Sequence, residues 1–172
     1  QKLELAKSKL VDTPALQRAF GDVLAAQGKF DDAIGHYQKA LAKNENDIAT
    51  HFRLGQAYRK MRKMDLASAS LEKVAAVDKE YPGLALERGM LFEESGDVQK
   101  ALDQFQGALA KAPTDLDLML RVGAAYVVIG QTEEGVKMLT KVFEQRPNSA
   151  EANHFLGRAY LRQGGLQTTA AM

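Results

Sequence analysis

Glycines recur along the chain at a fixed interval, within stretches whose apolar residues have helical spacing. Five of them lie 34 residues apart, each in an Ala-rich apolar stretch: Gly21, Gly55, Gly89, Gly123 and Gly157. Three residues after each glycine, on the same helical face, comes an aromatic residue or a leucine, at Leu24, Tyr58, Phe92, Tyr126 and Tyr160. A fixed period of about 20 to 50 residues is typical of repeat proteins. The pattern therefore predicts one helix that is copied five times.

A second helix is predicted after each of the first four. Twelve residues after these glycines stands a small residue, at Ala33, Ala67, Ala101 and Gly135, and four residues later a large apolar one, at Tyr37, Leu71, Phe105 and Leu139. A helix disfavours Gly by about 1 kcal/mol relative to Ala, so its recurrence indicates close approach of a neighbouring helix. Turns are predicted where a left-handed residue ends a helix without Cβ strain, at Gly28, Gly96, Gly130 and Gly164. Pro113 and Pro147 then end the second helix of their units.

These residues resemble the tetratricopeptide repeat, a 34-residue helix-turn-helix unit with this pattern of Gly, Tyr, Ala, Phe, Ala and Pro. The resemblance implies an all-α fold, a right-handed superhelical solenoid of antiparallel helix pairs. Full repeats are placed at 14–47, 48–81, 82–115 and 116–149, and a fifth at 150–172 contains a first helix and a turn. Residues 1–13 resemble the second helix of a preceding repeat, with Leu3 and Ala6 in the expected places. The chain is thus interpreted as part of a larger repeat protein.

Charge and composition narrow the classes of partner. Lys and Arg number 23 against 22 Asp and Glu, a formal net charge of +1, which gives no general attraction to nucleic acid or acidic membranes. No apolar run approaches the roughly 20 residues of a membrane-spanning helix, so direct membrane insertion is not expected. The absence of Cys excludes disulfides and thiolate metal sites but leaves localisation open. The cytoplasm is slightly favoured over a periplasmic or secretion assembly.

No catalytic, cofactor or metal site is expected. The three histidines, His36, His51 and His154, lie in separate repeats, and no two have the i, i+4 spacing of a helical metal site. No glycine loop that could bind phosphate follows a strand pattern. The acidic pair Glu133 and Glu134 lies at a helix start, where negative charge is favourable. The sequence therefore predicts a protein that is not an enzyme.

The resemblance also implies where a partner binds, because in this family the first helices of successive repeats line a concave groove. Mapped position by position, the partner-binding residues are Phe52, Arg53, Gln56, Arg59, Lys60, Leu86, Met90, Glu93, Glu94, Leu120, Arg121, Ala124, Val127, Val128, His154, Phe155, Arg158 and Arg162. The same mapping places Asp117 and Glu151 on this surface. The repeat at 48–81 has a formal charge of +3 and the repeat at 82–115 one of −3. Apolar residues beside charge favour a peptide or an amphipathic helix as the ligand.

Two departures from the family pattern sharpen this expectation. Arg88 stands where the other repeats have an apolar residue, so we expect it either to snorkel outward or to meet a carboxylate. The family's clamp for terminal carboxylates would place Asp22 and Glu87 against the ligand, and both would repel it.

A scaffold that binds a partner protein is the leading hypothesis. A structural module that self-associates through the uncapped repeat ends and the recognition arm of a larger enzyme remain as alternatives.

Overall fold

The structure is a computed structural model that describes residues 12–171, with side chains to residue 164. This part of the chain is helical and contains no strand. The helices, numbered in chain order, are α1 (Pro14–Ala26), α2 (Phe30–Lys43), α3 (Ile48–Lys60), α4 (Met64–Val77), α5 (Leu84–Glu94), α6 (Val98–Lys111), α7 (Leu116–Ile129), α8 (Thr132–Gln145) and α9 (Ala150–Ala171). The predicted all-α fold is confirmed. The predicted helix at 1–13 falls almost wholly outside the described residues.

The chain divides into two units, Gln1–Leu84 and Ala85–Met172, and both are built from helix pairs. In each pair a glycine of the first helix faces a large side chain of the second. A Cβ added at Gly21 would lie 2.6 Å from Cδ1 of Tyr37, and one added at Gly123 would lie 2.7 Å from Cγ of Leu139. Because real Cβ atoms are essentially never found at such distances, close helix packing accounts for the first four recurring glycines. The division into repeats at the predicted boundaries stays a prediction.

Left-handed residues end the first helices at three predicted turns. Gly28, Gly96 and Gly130 have φ angles of +76°, +85° and +91°. Arg62 takes the corresponding place after α3, with a φ of 57° that a residue with a Cβ adopts only at a cost. The prediction is wrong at Gly164, because α9 continues through it as a helix to Ala171.

First helices begin at side chains that satisfy their free N–H groups. The Thr13 hydroxyl accepts from Leu16 N at 3.2 Å, and the Asp115 carboxylate accepts from Asp117 N at 2.9 Å. Asp47 and Ser149 do the same for α3 and α9, so these caps follow the 34-residue period. Tyr81 holds the same place in the period, and α5 begins only at Leu84, after the left-handed Gly83.

Arg88 is half-buried on α5. Two carboxylates close to it in sequence are engaged elsewhere. Glu93 pairs with Arg121, and Asp97 pairs with Lys100 at 2.8 Å. Partial exposure at a position that is apolar in the other repeats fits the snorkelling alternative.

Candidate functional site

Two of the predicted groove residues in the first unit are core residues. Phe52 is 7% exposed, since the Tyr81 ring packs against it in a tilted arrangement, with the ring centres 5.1 Å apart, and Gly83 lies close to its edge. Arg59 is 5% exposed. Neither side chain is open to a partner in this arrangement. The predicted surface of α3 therefore consists of Arg53, half-buried Gln56 and Lys60.

Arg53 is held in place by a polar network between α1, α2 and α3. Its Nε lies 3.3 Å from Oδ1 of Asp22, and its Nη1 donates to Oε1 of Gln56 at 3.1 Å. The same Asp22 oxygen accepts from the buried hydroxyl of Tyr37 at 2.8 Å. Burial, followed by the bond to Asp22 and its negative charge, raises the pKa of Tyr37 above its ordinary value. The hydroxyl therefore stays a donor that orients Asp22 toward Arg53.

The second unit brings more of the predicted residues together, around a cavity of about 160 Å³. The cavity is lined by side chains of three first helices: Glu93 from α5, Asp117, Leu120, Arg121 and Ala124 from α7, and Glu151 and Phe155 from α9. Leu120 and Ala124 are four residues apart and so share one face of α7. Half-buried Leu120 and Phe155 pack against the core of α7, α8 and α9, which fixes an apolar floor.

Arg121 is the best-fixed charge at this cavity. Its Nη1 donates to Oε2 of Glu93 at 2.6 Å, and its guanidinium lies 5.6 Å from the ring centre of Phe105. Phe105 is fully buried, so its ring is a rigid support. The pair holds α5 and α7 in register beside the cavity.

The surroundings of Glu93 disfavour the negatively charged form of its carboxyl group. Burial, together with the negative charges of Glu151 and Glu94, raises the pKa of Glu93, although Arg121 acts in the opposite direction. Glu94 is exposed at the end of α5. The acidic side of the cavity thus has more negative charge than the single positive charge of Arg121 can neutralise.

Other predicted residues of α9 lie next to Phe155, which lines the cavity, or reach α7. His154 meets the Phe155 ring edge-on at 5.2 Å, and the Arg158 guanidinium lies 5.7 Å from the centre of that ring. Arg162 donates from Nη1 to the backbone carbonyl of Val127 near the end of α7. Phe155 is therefore flanked by two basic side chains, and Arg162 ties α9 to α7.

The remaining predicted residues of this unit are distributed between core and surface. Val127 is fully buried because it packs into the space that Gly135 leaves open, so it belongs to the core. Leu86 and Met90 are half-buried against the cluster around Phe105. Val128, by contrast, is 39% exposed on α7. Of the apolar residues predicted on α7, Leu120 and Val128 have the largest open surface.

Other features of the described residues concern metal binding, membranes and a second cavity. In this part of the chain no group of three His, Asp or Glu side chains could hold a metal ion. Among the same residues, no helix is both long and apolar enough to cross a membrane. A larger cavity of about 480 Å³ lies in the first unit on the α1 face, lined by Leu16, Phe20 and Val23 among others.

Comparisons with known proteins place this architecture. Family models described as TPR repeat and tetratricopeptide repeat match residues 21–61, 52–115 and 93–152. A TPR repeat-containing protein of Bacillus subtilis, YpiA, is 26% identical over 148 residues, which are 86% of this chain and 35% of YpiA. The chain thus spans about a third of the length of this relative.

Solved structures show the same fold. MamA of Desulfovibrio magneticus RS-1 has a TM-score of 0.82 and 20% identity over 94% of this chain and 92% of that one. YrrB, described as a TPR protein with an unusual peptide-binding site, has a TM-score of 0.80 and 20% identity over 95% of this chain and 84% of its own. These likenesses show the fold. The successive repeat models, which together match residues 21–152, show that the chain belongs to the tetratricopeptide repeat family.

Proposed function

We propose that this chain is a non-catalytic scaffold that binds a peptide or an amphipathic helix of another protein on the surface formed by α5, α7 and α9. The observation that carries the proposal is the cavity between these helices, with its apolar floor of Leu120, Ala124 and Phe155 beside fixed charges. Peptide recognition of this kind uses apolar contact for affinity and flanking charge for register.

The size of the cavity favours a side chain as its occupant. Pockets for whole small molecules have volumes of roughly 300 to 1,000 Å³, and this cavity has about 160 Å³. It therefore suits one anchoring side chain of a longer ligand. The rest of that ligand would lie along exposed groups such as Val128 and Arg158.

Rigid surroundings support binding as well. Arg121 is held by Glu93 and Phe105, and Arg162 is held by a backbone carbonyl. Side chains that are ordered before binding lose less conformational entropy when a partner docks. The surface is thus prepared for a ligand that fits its charges.

The proposal is tested by affinity capture from extract of the source cells. The test variant Leu120→Glu/Arg158→Glu places charge on the floor and reverses it at the rim. The control variant Leu66→Glu/Lys39→Glu makes the same two kinds of change at exposed positions of the first unit. We expect one protein to be captured by the wild type and the control and lost with the test variant, with all three equally helical by circular dichroism. Capture that survives the test variant would contradict the proposal.

Self-association is a second candidate, favoured by the apolar face of α1. Phe20 and Val23 are 41% and 57% exposed and line the cavity of about 480 Å³. Exposed apolar side chains that are contiguous often mark a protein contact. Light scattering over a range of protein concentrations would show oligomers that Phe20→Ser/Val23→Ser abolishes. A monomer at every concentration would exclude this candidate.

A further inference from the structure

One of the carboxylates that line the cavity of the second unit has no ion-pair partner among the described residues. Glu93 pairs with Arg121 at 2.6 Å, and Asp117 pairs with Arg146 at 2.5 Å. Glu151 also lines the cavity, and no Lys, Arg or His among the described residues forms an ion pair with it. The cavity therefore has three carboxylates and one lining guanidinium, and that guanidinium is already engaged.

The basic side chains nearby do not correct this imbalance. Arg158 lies over the Phe155 ring, and Arg162 donates to the Val127 carbonyl. Burial is the largest cause that raises the pKa of Glu93. The negative charge of Glu151 raises it further, so the two carboxylates lie close enough to interact. Two carboxylates that repel each other across a partly buried cavity would both gain from a cation placed between them.

We infer that the partner segment is basic and apolar, with a Lys or Arg cation that lies between Glu93 and Glu151. This inference rests on the proposed function. One helical turn along the segment, an apolar side chain occupies the floor of Leu120, Ala124 and Phe155. The cation forms charge-assisted hydrogen bonds with both carboxylates, and the apolar group excludes water from them. An acidic segment would add to the repulsion and is disfavoured.

The test uses three synthetic helical peptides with one fluorescent label. The first combines leucines on one face with lysines on the flanks, the second has glutamates in place of the lysines, and the third keeps the lysines but has alanines in place of the leucines. Fluorescence polarisation measures their affinity for the whole chain at low and at physiological salt. We expect the first peptide to bind at least tenfold more tightly than the other two, and more weakly as salt rises.

Variants then locate the contact. Glu151→Gln removes the unpaired carboxylate without touching the Arg121 pair, and we expect it to weaken the first peptide about three- to tenfold. Glu93→Gln/Glu151→Gln should weaken it further. The control Glu133→Gln/Glu134→Gln makes the same change of charge at the exposed start of α8 and should leave affinity unchanged. Circular dichroism checks that each variant remains helical.

Each contrary result has its own meaning. If the acidic peptide binds as tightly as the basic one, or if Glu151→Gln and the α8 control behave alike, the inference of a basic partner is wrong. The proposed function survives that failure if Leu120→Glu/Arg158→Glu still abolishes capture from extract. If no peptide binds and capture is also insensitive to that variant, both the inference and the proposed function are wrong.

Discussion

Replacing Gly89 by Ala is the sharpest test of the helix packing described here. A Cβ built at Gly89 would lie 2.5 Å from Cδ1 of Phe105, where ordinary contact begins at 3.4 Å. The ring must therefore move by about 0.9 Å. Phe105 is fully buried and packed with Leu102, Leu118 and Val122, so it has little room to do so.

Two opposing terms set the size of the effect. Alanine stabilises a helix by about 1 kcal/mol relative to glycine, and overpacking a close-packed core costs roughly 1 to 3 kcal/mol. Because the ring is enclosed, we take the upper end of that cost. Gly89→Ala should then lower the free energy of unfolding by about 2 kcal/mol. For a chain of this length the melting temperature should fall by about 4 to 8 °C.

Two matched substitutions isolate the contact. Gly107 lies in α6, the partner helix of α5, and Gly157 holds the same place in the 34-residue period as Gly89. Neither has an atom within 4 Å of an added Cβ. Gly107→Ala and Gly157→Ala should therefore each stabilise the protein, by up to about 1 kcal/mol.

Urea unfolding followed by circular dichroism at the helical signal gives the midpoints of the wild type and the three variants. We expect Gly89→Ala to unfold at lower urea than the wild type, and both controls to unfold at equal or higher urea. If Gly89→Ala raises the midpoint as the controls do, the ring yields without cost. The glycine period would then have another explanation than close packing.

Other predictions concern single residues. Arg62→Gly should stabilise the protein by about 0.5 to 1 kcal/mol in urea unfolding, because glycine adopts the positive φ of this turn without strain; an unchanged midpoint would mean that the strain is negligible. Tyr37→Phe should lower the free energy of unfolding by about 1 kcal/mol, since it removes the hydroxyl that donates to Asp22. A loss as large as that of a core truncation would mean that the phenylalanine ring does not fit. Burial opposes the charge of Asp47, yet the bonds from Thr50 and the Arg18 guanidinium outweigh it and lower its pKa. The stability this provides is present above the ordinary value of 3.8 and is lost as the pH falls through the lowered pKa, so Asp47→Asn should flatten the acid limb of a thermal melt measured against pH.

Much of the fold could be predicted from the sequence, because each of the first four recurring glycines contacts the large residue sixteen positions later within one helix pair. The Gly55 and Leu71 pair is an example, with 2.6 Å between a built Cβ and the leucine Cδ2. The capping residues follow the same period and could have been found at Thr13, Asp47, Asp115 and Ser149. Sequence patterns reveal contacts of this kind well, because both partners recur at a fixed, short spacing.

The open surface was harder to predict, because burial depends on neighbours that are distant in sequence. Val127 occupies a position that the family leaves open, yet Gly135 gives it room to enter the core. Phe52 is covered because the segment around Tyr81 and Gly83 departs from the regular helix start. In both cases the local pattern was present, and a contact with another segment decided the outcome.

Site-specific photocrosslinking shows whether α5, α7 and α9 form the partner-binding surface. A photoreactive amino acid is placed at Val128, which is exposed on α7, and in a matched protein at Leu66, which is exposed on α4. Both proteins are irradiated in extract of the source cells. We expect one crosslinked partner at Val128 that is absent at Leu66 and is displaced by the basic amphipathic peptide. Crosslinks that form at Leu66 and not at Val128 would mean that the partner binds elsewhere on the chain.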